Sequence, residues 1–502
     1  MFKDIKDLSI EEDNFYDICV IGSGPAGISV VKKLLNSKYK IALLESGGIH
    51  PEDDYQALNE GKNSGPSFLS LDHSRMRSFG GAGLLWAGWC APFESNEFEK
   101  KPFLHLSGWP ISLKDIETYY KEAAKMLGIS YEKFYDKKLI GETALEKNFK
   151  EFFRDKSLLK ASVFQASSPV NRNLAEKYRI ELENSNNTHV IFHSTVTDIN
   201  LSNNGKDVDN VSISDLSGNN ANIKAKIFVL ACGALENPRI LLSSNKYYKN
   251  GIGNSQGLVG SCFMSHPGIN NVGEIHKISS DKCYDGQKKN IDYKVSFEIS
   301  PKERLKHKIL RHSLSVKNFS QSTKSKLIDK SNFFLNIKKT FCKITGKKYF
   351  SNNWNLAVGL EQPPTLSNYL KLDNNIDQLG VPKINMYWNK ISNIERDTVI
   401  KSVNIMAQEL GLLNSGRIKL KDDLLSGKAF NVDDPINHHI GTTRMSDSPK
   451  TGVVDKNCKV FDLSNLYIAG SSVFATSSIV NPTYTIVALS LRLGEYLKKI
   501  KI

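Results

Sequence analysis

The stretch "YDICVIGSGPAGISVVKKLLNSKYKIALLESGG", residues 16–48, decides the fold. A short apolar run enters a glycine turn, a helix-length segment follows, and a second apolar run ends at Glu45, which is the order of a βαβ unit. Gly22, Gly24 and Gly27 form GxGxxG. The first glycine suits the tight turn, the second lets backbone approach a pyrophosphate, and the third lets helix pack on strand. Free N–H groups and the dipole at the helix start favour an anion. Glu45 stands where an acid accepts from ribose hydroxyls, and it disfavours a 2′-phosphorylated cofactor.

Outward from this unit, "LDHSRMRSFGGAGLLWAGWCAPF" (71–93) carries Gly80, Gly81, Gly83 and Gly88 around Trp86 and Trp89. Backbone can come close to a flat group there while indoles wall it in. "GWPISLKDIETYYKEAAKMLGI" (108–129) predicts an amphipathic helix with Ser112 as its cap. "THVIFHSTVTDINLS" and "VSISDLSG" read as antiparallel strands, and "AKIFVLACGALENPRILLSS" (225–244) as a buried strand entering a helix through Gly233. From about 270 to 430 the texture is β-rich, as in "NNWNLAVGLEQ" and "KINMYWN". After that, Leu466 to Ala469 reads as a strand and Gly470 as a turn. Asn481-Pro482 starts the last helix as N-cap and N1.

The expected organisation is therefore α/β with an α+β substrate part: a Rossmann-like domain of two segments, 1–270 and 431–502, with a β-sheet substrate-binding domain, 271–430, inserted between them. The composition fits a packed globular chain of 502 residues, 40% hydrophobic and 24% charged, with no apolar run of membrane-spanning length. "MFKDIKDLSIEEDNFYD" has no leader character, so a cytoplasmic address is expected. Seven scattered cysteines with no CxxC pair argue for reduced thiols and against a zinc site. Net charge is +14, and the window 302–348 holds 14 Lys/Arg against Glu303 and Asp329. That window reads as a helical surface insertion, either a solvated face or a docking patch for an anionic surface or acidic partner. Nothing interleaves aromatic with basic residues in the manner of a nucleic-acid site.

"NHHIGTTRM" (437–445) sets His438 and His439 side by side. Adjacent side chains diverge on any regular element, so one is expected to be chemical and the other structural. His266 in "SHP" reads as a domain-boundary turn residue outside the catalytic set.

Together, "VIGSGPAG" with Glu45, "GGAGLLWAGW", "GWPIS", "FVLACGALENPRILL", "GLVGSCFMSHP", "NHHIGTTRM", "GVVDKNCKVFDLSNLYIAGSSVF" and "NPTYTIVALSLRL" resemble, in order and over nearly the whole chain, the glucose-methanol-choline (GMC) family of FAD-dependent oxidoreductases. The sugar- and polyol-oxidising branch is the nearest in motif, because Asn481 of "NPT" stands where other branches carry a second histidine. The resemblance implies FAD and makes His438, three residues before the glycine of HxxGT, the active-site base, with Asn481 its partner. It assigns cofactor contacts to Gly22, Gly24, Pro25, Ala26 and Gly27, to Glu45 and Ser46, and to Gly80, Gly81, Leu85 and Trp86. It adds Val196, Ala231 and Gly233, then Gly470, Ser471, Pro482 and Thr483. Leu85 replaces the histidine that in some relatives bonds covalently to flavin, so noncovalent FAD is expected. Ser446 replaces the glycine that usually follows "RM".

The residue chemistry agrees with this. Oxidising an alcohol by hydride transfer requires the hydroxyl proton to leave to a base within hydrogen-bond reach, and a histidine of near-neutral pKa suits that task. Asn481 would hold the same oxygen and orient the C–H. The start of the 482–499 helix would stabilise negative charge on the flavin. The expected substrate is a sugar, polyol or sugar-derived alcohol, with the electron acceptor left open. Two rival readings are a non-redox FAD-containing lyase of the same fold and a flavin-bearing docking protein that uses the basic window.

Overall fold

The computed structural model describes residues 1–8, 15–67, 69–136, 139, 157–277, 293–318, 353–425, 432 and 436–500. The chain builds two large sheets joined by smaller ones. In the first sheet, strands run in the order Phe2–Asp4, Thr188–Phe192, Ile41–Leu44, Phe15–Ile21, Asn220–Leu230, Val208–Ser214 and Thr195–Leu201. The first five pair in parallel. The long Asn220–Leu230 strand has two halves. Its first half pairs antiparallel with Val208–Ser214, and Phe228 to Leu230 pair in parallel with Leu466–Ile468. That last pairing brings the end of the chain back to the sheet where the chain began. Ile18, Val20, Ile41, Leu43 and Val229 are fully buried, as expected of parallel strands covered on both faces.

Helix Pro25–Leu34 and the last helix, Thr483–Lys499, cover this sheet and belong to one hydrophobic core with it. The 108–129 segment forms in two pieces. Ser112 caps a 3₁₀ turn, Leu113–Asp115, with Asp115 answering in a capping box, and helix Glu117–Leu127 follows, ending on left-handed Gly128.

The second sheet is antiparallel, in the order Gly416–Leu420, Gly268–Lys277, Asn353–Leu360, His312–Asn318, Tyr293–Ile299, Leu159–Ala166 and Trp89–Cys90. One face carries Ile275, Phe297, Leu314, Leu356 and Val358 against Val399, Val403, Met406 and Leu410 of helix Asn393–Leu412. Residues 270 and 430 are not sheet boundaries. Trp89–Cys90 and Leu159–Ala166 supply the edge of the second sheet, and Gly61–Asn63 joins a small third sheet with Tyr369–Ile376 and Pro382–Tyr387.

The described part of the basic window departs from a surface insertion. Residues 301–307 form a helix and 312–318 an inner strand of the second sheet. Arg304 and Arg311 are buried because Glu298 nearby and Glu94 and Glu97 from a distant part of the chain meet them. Residues 319–348 of the window lie outside the described residues. No described helix is long and apolar enough to cross a membrane, and no cluster of metal-ligating side chains occurs among the described residues.

Candidate active site

The glycine turn has the geometry its spacing predicts. Gly22 has φ +103°, and a Cβ there would sit 2.8 Å from the Ala231 carbonyl oxygen. At Gly27 a Cβ would lie 1.8 Å from the Gly22 oxygen, so helix Pro25–Leu34 can approach the turn only with glycine there. A Cβ on Gly24 would meet nothing within 4 Å and would enter the cavity in front of the helix. Gly24 is the N-cap and supplies no side-chain hydrogen bond, so the first N–H groups of the helix are left for a ligand. Glu45 follows strand Ile41–Leu44 and accepts from Ser23 N (3.2 Å), Ser23 Oγ and Gly47 N (3.1 Å). Burial pushes its carboxyl above the usual range, against these hydrogen bonds and the charge of Arg77.

A continuous cavity of about 420 Å³ runs from this turn to the last helix. Its wall takes in Gly22, Gly24, Pro25, Ala26, Glu45 and Ser46 at one end, and Gly81, Leu85 and Trp86 from the second glycine loop. Val196, Ala231 and Gly233 come from the first sheet and its crossover. Gly470, Ser471, Pro482 and Thr483 close the other end. Gly27 and Gly80 do not reach the cavity. Gly27 holds the helix against the turn, while Gly80, at φ +105°, bends the loop so that its N–H reaches Ser23 Oγ at 3.2 Å.

The same cavity exposes a charged cluster that the sequence reading missed. Arg75 and Arg77 line it and pair with Glu236 at 2.7 and 2.9 Å. Arg239 pairs with Glu236 at 3.0 Å and with Asp377 at 2.6 Å. Three guanidinium groups thus face Glu236 and Asp377, with Glu45 on the same wall within the field of Arg77. Burial lowers Arg75 to about 10, with Glu236 opposing, so it stays charged. Burial works to raise Glu236, but Arg77, Arg239 and Arg75 together hold it well below the usual range. Asn59 Nδ2 and Ser74 Oγ, on the same wall, are buried and have no partner among the described residues. The local signal was "SRMR" immediately before the second glycine loop.

At the far end, His438 and Asn481 meet. Asn481 Nδ2 is 3.1 Å from His438 Nε2, and both side chains are partly open to the cavity. Asn481 is not the helix cap. The helix begins one residue later, at Thr483, with Pro482 in the cap position and no side-chain cap bond. The amide is therefore free for the histidine.

His266, read from sequence as a turn residue, belongs to this corner. Its Nδ1 is 2.7 Å from His438 Nδ1 and its Nε2 is 3.0 Å from the Ser477 carbonyl oxygen. Its strand, Met264–His266, pairs with Ile436–Ile440, a pairing across some 170 residues that no local pattern announces. His439 also reaches the cavity wall. Burial, assisted by Arg75, lowers His439 to about 3. Nor is His438 near-neutral. Burial, then His266, His439 and Lys294, hold it well below the ordinary histidine value, so it is an uncharged imidazole.

Behind the corner lies a second buried charge cluster. Arg311 pairs with Glu298 and Glu94 at 2.9 and 2.8 Å and with Glu97, and donates to Ser478 Oγ at 3.3 Å. Glu361 accepts from the Arg311 backbone N–H and pairs with Lys101, each at 2.9 Å. Ser477 Oγ accepts from Gln362 N (3.0 Å) and donates to the Gln362 carbonyl (2.9 Å). These contacts hold the 477–478 turn, where Ser478 has φ +58°.

Residues 364–490 match the family model of the GMC oxidoreductases. Over 96% of its length the chain is 24% identical to 2-methyl-1,2-propanediol dehydrogenase of Mycolicibacterium austroafricanum, covering 95% of that protein. Over 57% of its length it is 25% identical to the fructose dehydrogenase large subunit of Gluconobacter japonicus, of which it covers 49%. A solved structure concerned with FAD modification in formate oxidase of Aspergillus oryzae RIB40 superposes with a TM-score of 0.57 at 14% identity, over 97% of this chain and 98% of that one. Residues 364–490 thus carry the GMC oxidoreductase match, and the chain is similar over nearly all of its length to a dehydrogenase.

Proposed function

We propose that this oxidoreductase oxidises the CH–OH group of a small alcohol, polyol or sugar, with noncovalently bound FAD, His438 as base and Asn481 as its orienting partner. The carrying observation is the His438–Asn481 pair, 3.1 Å apart at the wall of the cavity beside the helix start at Thr483. The names of the relatives, a diol dehydrogenase and a fructose dehydrogenase, support the substrate class.

The cavity fits FAD in three respects: the open N-terminus of helix Pro25–Leu34, the space in front of Gly24, and the guanidinium groups of Arg75 and Arg77 beside the partnerless Asn59 Nδ2 and Ser74 Oγ. The glycine turn and Arg75 with Arg77 would hold the diphosphate, and Glu45 the ribose. When bound, FAD supplies the acceptor for the hydride that leaves the substrate carbon. His438 takes the hydroxyl proton, and being uncharged it is ready to do so. Asn481 gives the substrate oxygen a second polar contact and fixes the direction of the C–H bond.

Noncovalent binding is favoured by the residues at the wall. Leu85 has no nucleophile, and Cys232 donates its thiol to the Ile21 carbonyl at 3.1 Å, with burial pushing its pKa up. An anaerobic titration of the flavin-loaded protein with alcohols, diols and ketoses tests the function. Bleaching of the oxidised flavin band by one class, with FAD recovered in the supernatant after acid precipitation, is the expected result. A flavin that every such donor leaves oxidised would sink the CH–OH reading.

A further inference from the structure

A neutral imidazole carries one proton on one nitrogen, and only the other nitrogen can receive a proton from substrate. In His438 that choice is made outside His438. The His266 Nε2 faces the Ser477 carbonyl oxygen at 3.0 Å, and a carbonyl only accepts, so this nitrogen carries the His266 proton. Burial lowers His266 to about 4, with Ser477, Glu361 and Ser478 opposing and Arg311 assisting, so the ring is neutral and its Nδ1 holds a lone pair. That lone pair lies 2.7 Å from His438 Nδ1. Two lone pairs cannot face each other at hydrogen-bond distance, so His438 donates its Nδ1–H. Its Nε2 is then bare and accepts from the Asn481 amide at 3.1 Å.

We infer that His266 is a positioning residue that locks His438 in the Nδ1–H tautomer and thereby makes Nε2 the nitrogen that receives the alcohol proton. The inference rests on the reading of His438 as base. In the step, the substrate O–H takes the place of the Asn481 N–H at the Nε2 lone pair, the O–H bond breaks and an N–H bond forms at Nε2. The oxygen keeps the electron pair that becomes the carbonyl π bond as hydride leaves carbon for the flavin. His438 becomes an imidazolium that still donates Nδ1–H to His266. His266 takes no proton, since its second nitrogen is committed to Ser477 and Arg311 disfavours a cation there.

The fold supports this chain of donors at both ends. The two rings meet edge to face, with centroids 4.8 Å apart and planes at 78°. The carbonyl that starts the chain belongs to Ser477, whose hydroxyl is tied both ways to Gln362, and Gln362 Oε1 accepts from Ser265 N and Trp388 Nε1, each at 3.0 Å. The charged or titratable groups that act on the pair are His439 and Lys294 on His438, and Glu361 and Arg311 on His266.

The test uses the flavin-loaded full chain with ¹⁵N-labelled histidine. His438 should show a protonated Nδ1 and an unprotonated Nε2 at neutral pH, assigned by loss of its signals in His438→Gln. His266→Leu, which fills the space but accepts nothing, should lower the anaerobic flavin-reduction rate about 10²-fold, since a positioned base contributes ~10²–10⁴. It should also give His438 mixed tautomers. His266→Asn, whose Oδ1 can accept in place of Nδ1, should recover most of the rate. Equal rates in the two variants, or an Nε2-protonated His438 in the unmodified protein, would overturn the inference. The wild-type NMR decides even if His266→Leu fails to fold. Failure of the base reading itself looks different: His438→Gln would then reduce flavin at the wild-type rate while the tautomer stayed as inferred.

Discussion

The two ends of the cavity are built from different materials. The cofactor end is chiefly backbone, a glycine turn and a helix start within residues 16–48, with Glu45 at a strand tip and the Arg75 and Arg77 side chains added to it. The catalytic end is side chain, assembled from His266, His438, Ser477 and Asn481 and backed by Arg311 with carboxylates from Glu94 to Glu361. The first depends on space that a Cβ would fill, the second on partners that must be present. The ends should therefore fail in different ways.

The largest failure is steric. Gly27→Val places carbon where the Gly22 oxygen already sits, 1.8 Å from the glycine's Cβ position. The helix cannot then approach the turn, and the purified variant should carry no flavin at any added FAD concentration, as absorbance near 450 nm would show. A yellow Gly27→Val protein would break the comparison at its cofactor end.

The next failure is electrostatic. Arg311→Met leaves Glu298 and Glu97 buried without their main cation, and removing one partner of a buried pair costs roughly 3–5 kcal/mol. Denaturant unfolding should report a loss of that size, with flavin still bindable under native conditions. The acid dependence gives the sign. Burial works to raise Glu298, but Arg311, Lys160 and Arg304 hold it below the usual carboxylate range. Its contribution is present above the unfolded carboxylate value, about 4.3, and drains as pH falls below it towards the folded value. The wild-type melting temperature should fall on acidification through that window. Arg311→Met should show a shallower fall there.

The smallest effect sits back at the cofactor end. Glu45→Gln keeps the shape and one acceptor but removes the charge that would meet ribose hydroxyls. FAD affinity should drop by about tenfold, in line with ~1.5 kcal/mol for one charge-assisted hydrogen bond, read by fluorescence titration of the apoprotein. An unchanged Kd would mean that the ribose does not lie against Glu45.

This contrast also explains what could be read from sequence. The βαβ unit was legible because turn, helix and strand requirements fall within 33 contiguous residues. His438 and Asn481 were legible because each lies in a motif of the resembling family. His266 was not, since its role depends on a strand pairing with Ile436–Ile440 and on the Ser477 carbonyl, neither of which leaves a local pattern. Arg304 and Arg311 were misread as surface charge for the same reason, since Glu94 and Glu97, which join Glu298 in meeting them, lie about 200 residues away. Helix Asn393–Leu412 was missed in the β-rich reading of 270–430, because its buried face includes Glu395, Thr398, Ser402 and Glu409, which blunts the apolar stripe. Asn481 followed the Asn-Pro start rule on paper. In the fold its amide answers His438 and the cap position passes to Pro482.

The central claim, that an uncharged His438 takes the proton of an alcohol as its carbon is oxidised, is tested most directly by anaerobic stopped-flow reduction of bound flavin in wild-type protein and His438→Ala with the donor found by titration. The account predicts that His438→Ala retains FAD and that its reduction is slowed by ~10²–10⁴-fold. It also predicts that the wild-type rate holds through pH values below the ordinary histidine pKa of about 6.5, because His438 titrates well below it. Flavin reduction in His438→Ala at the wild-type rate, with the same pH dependence, would contradict it.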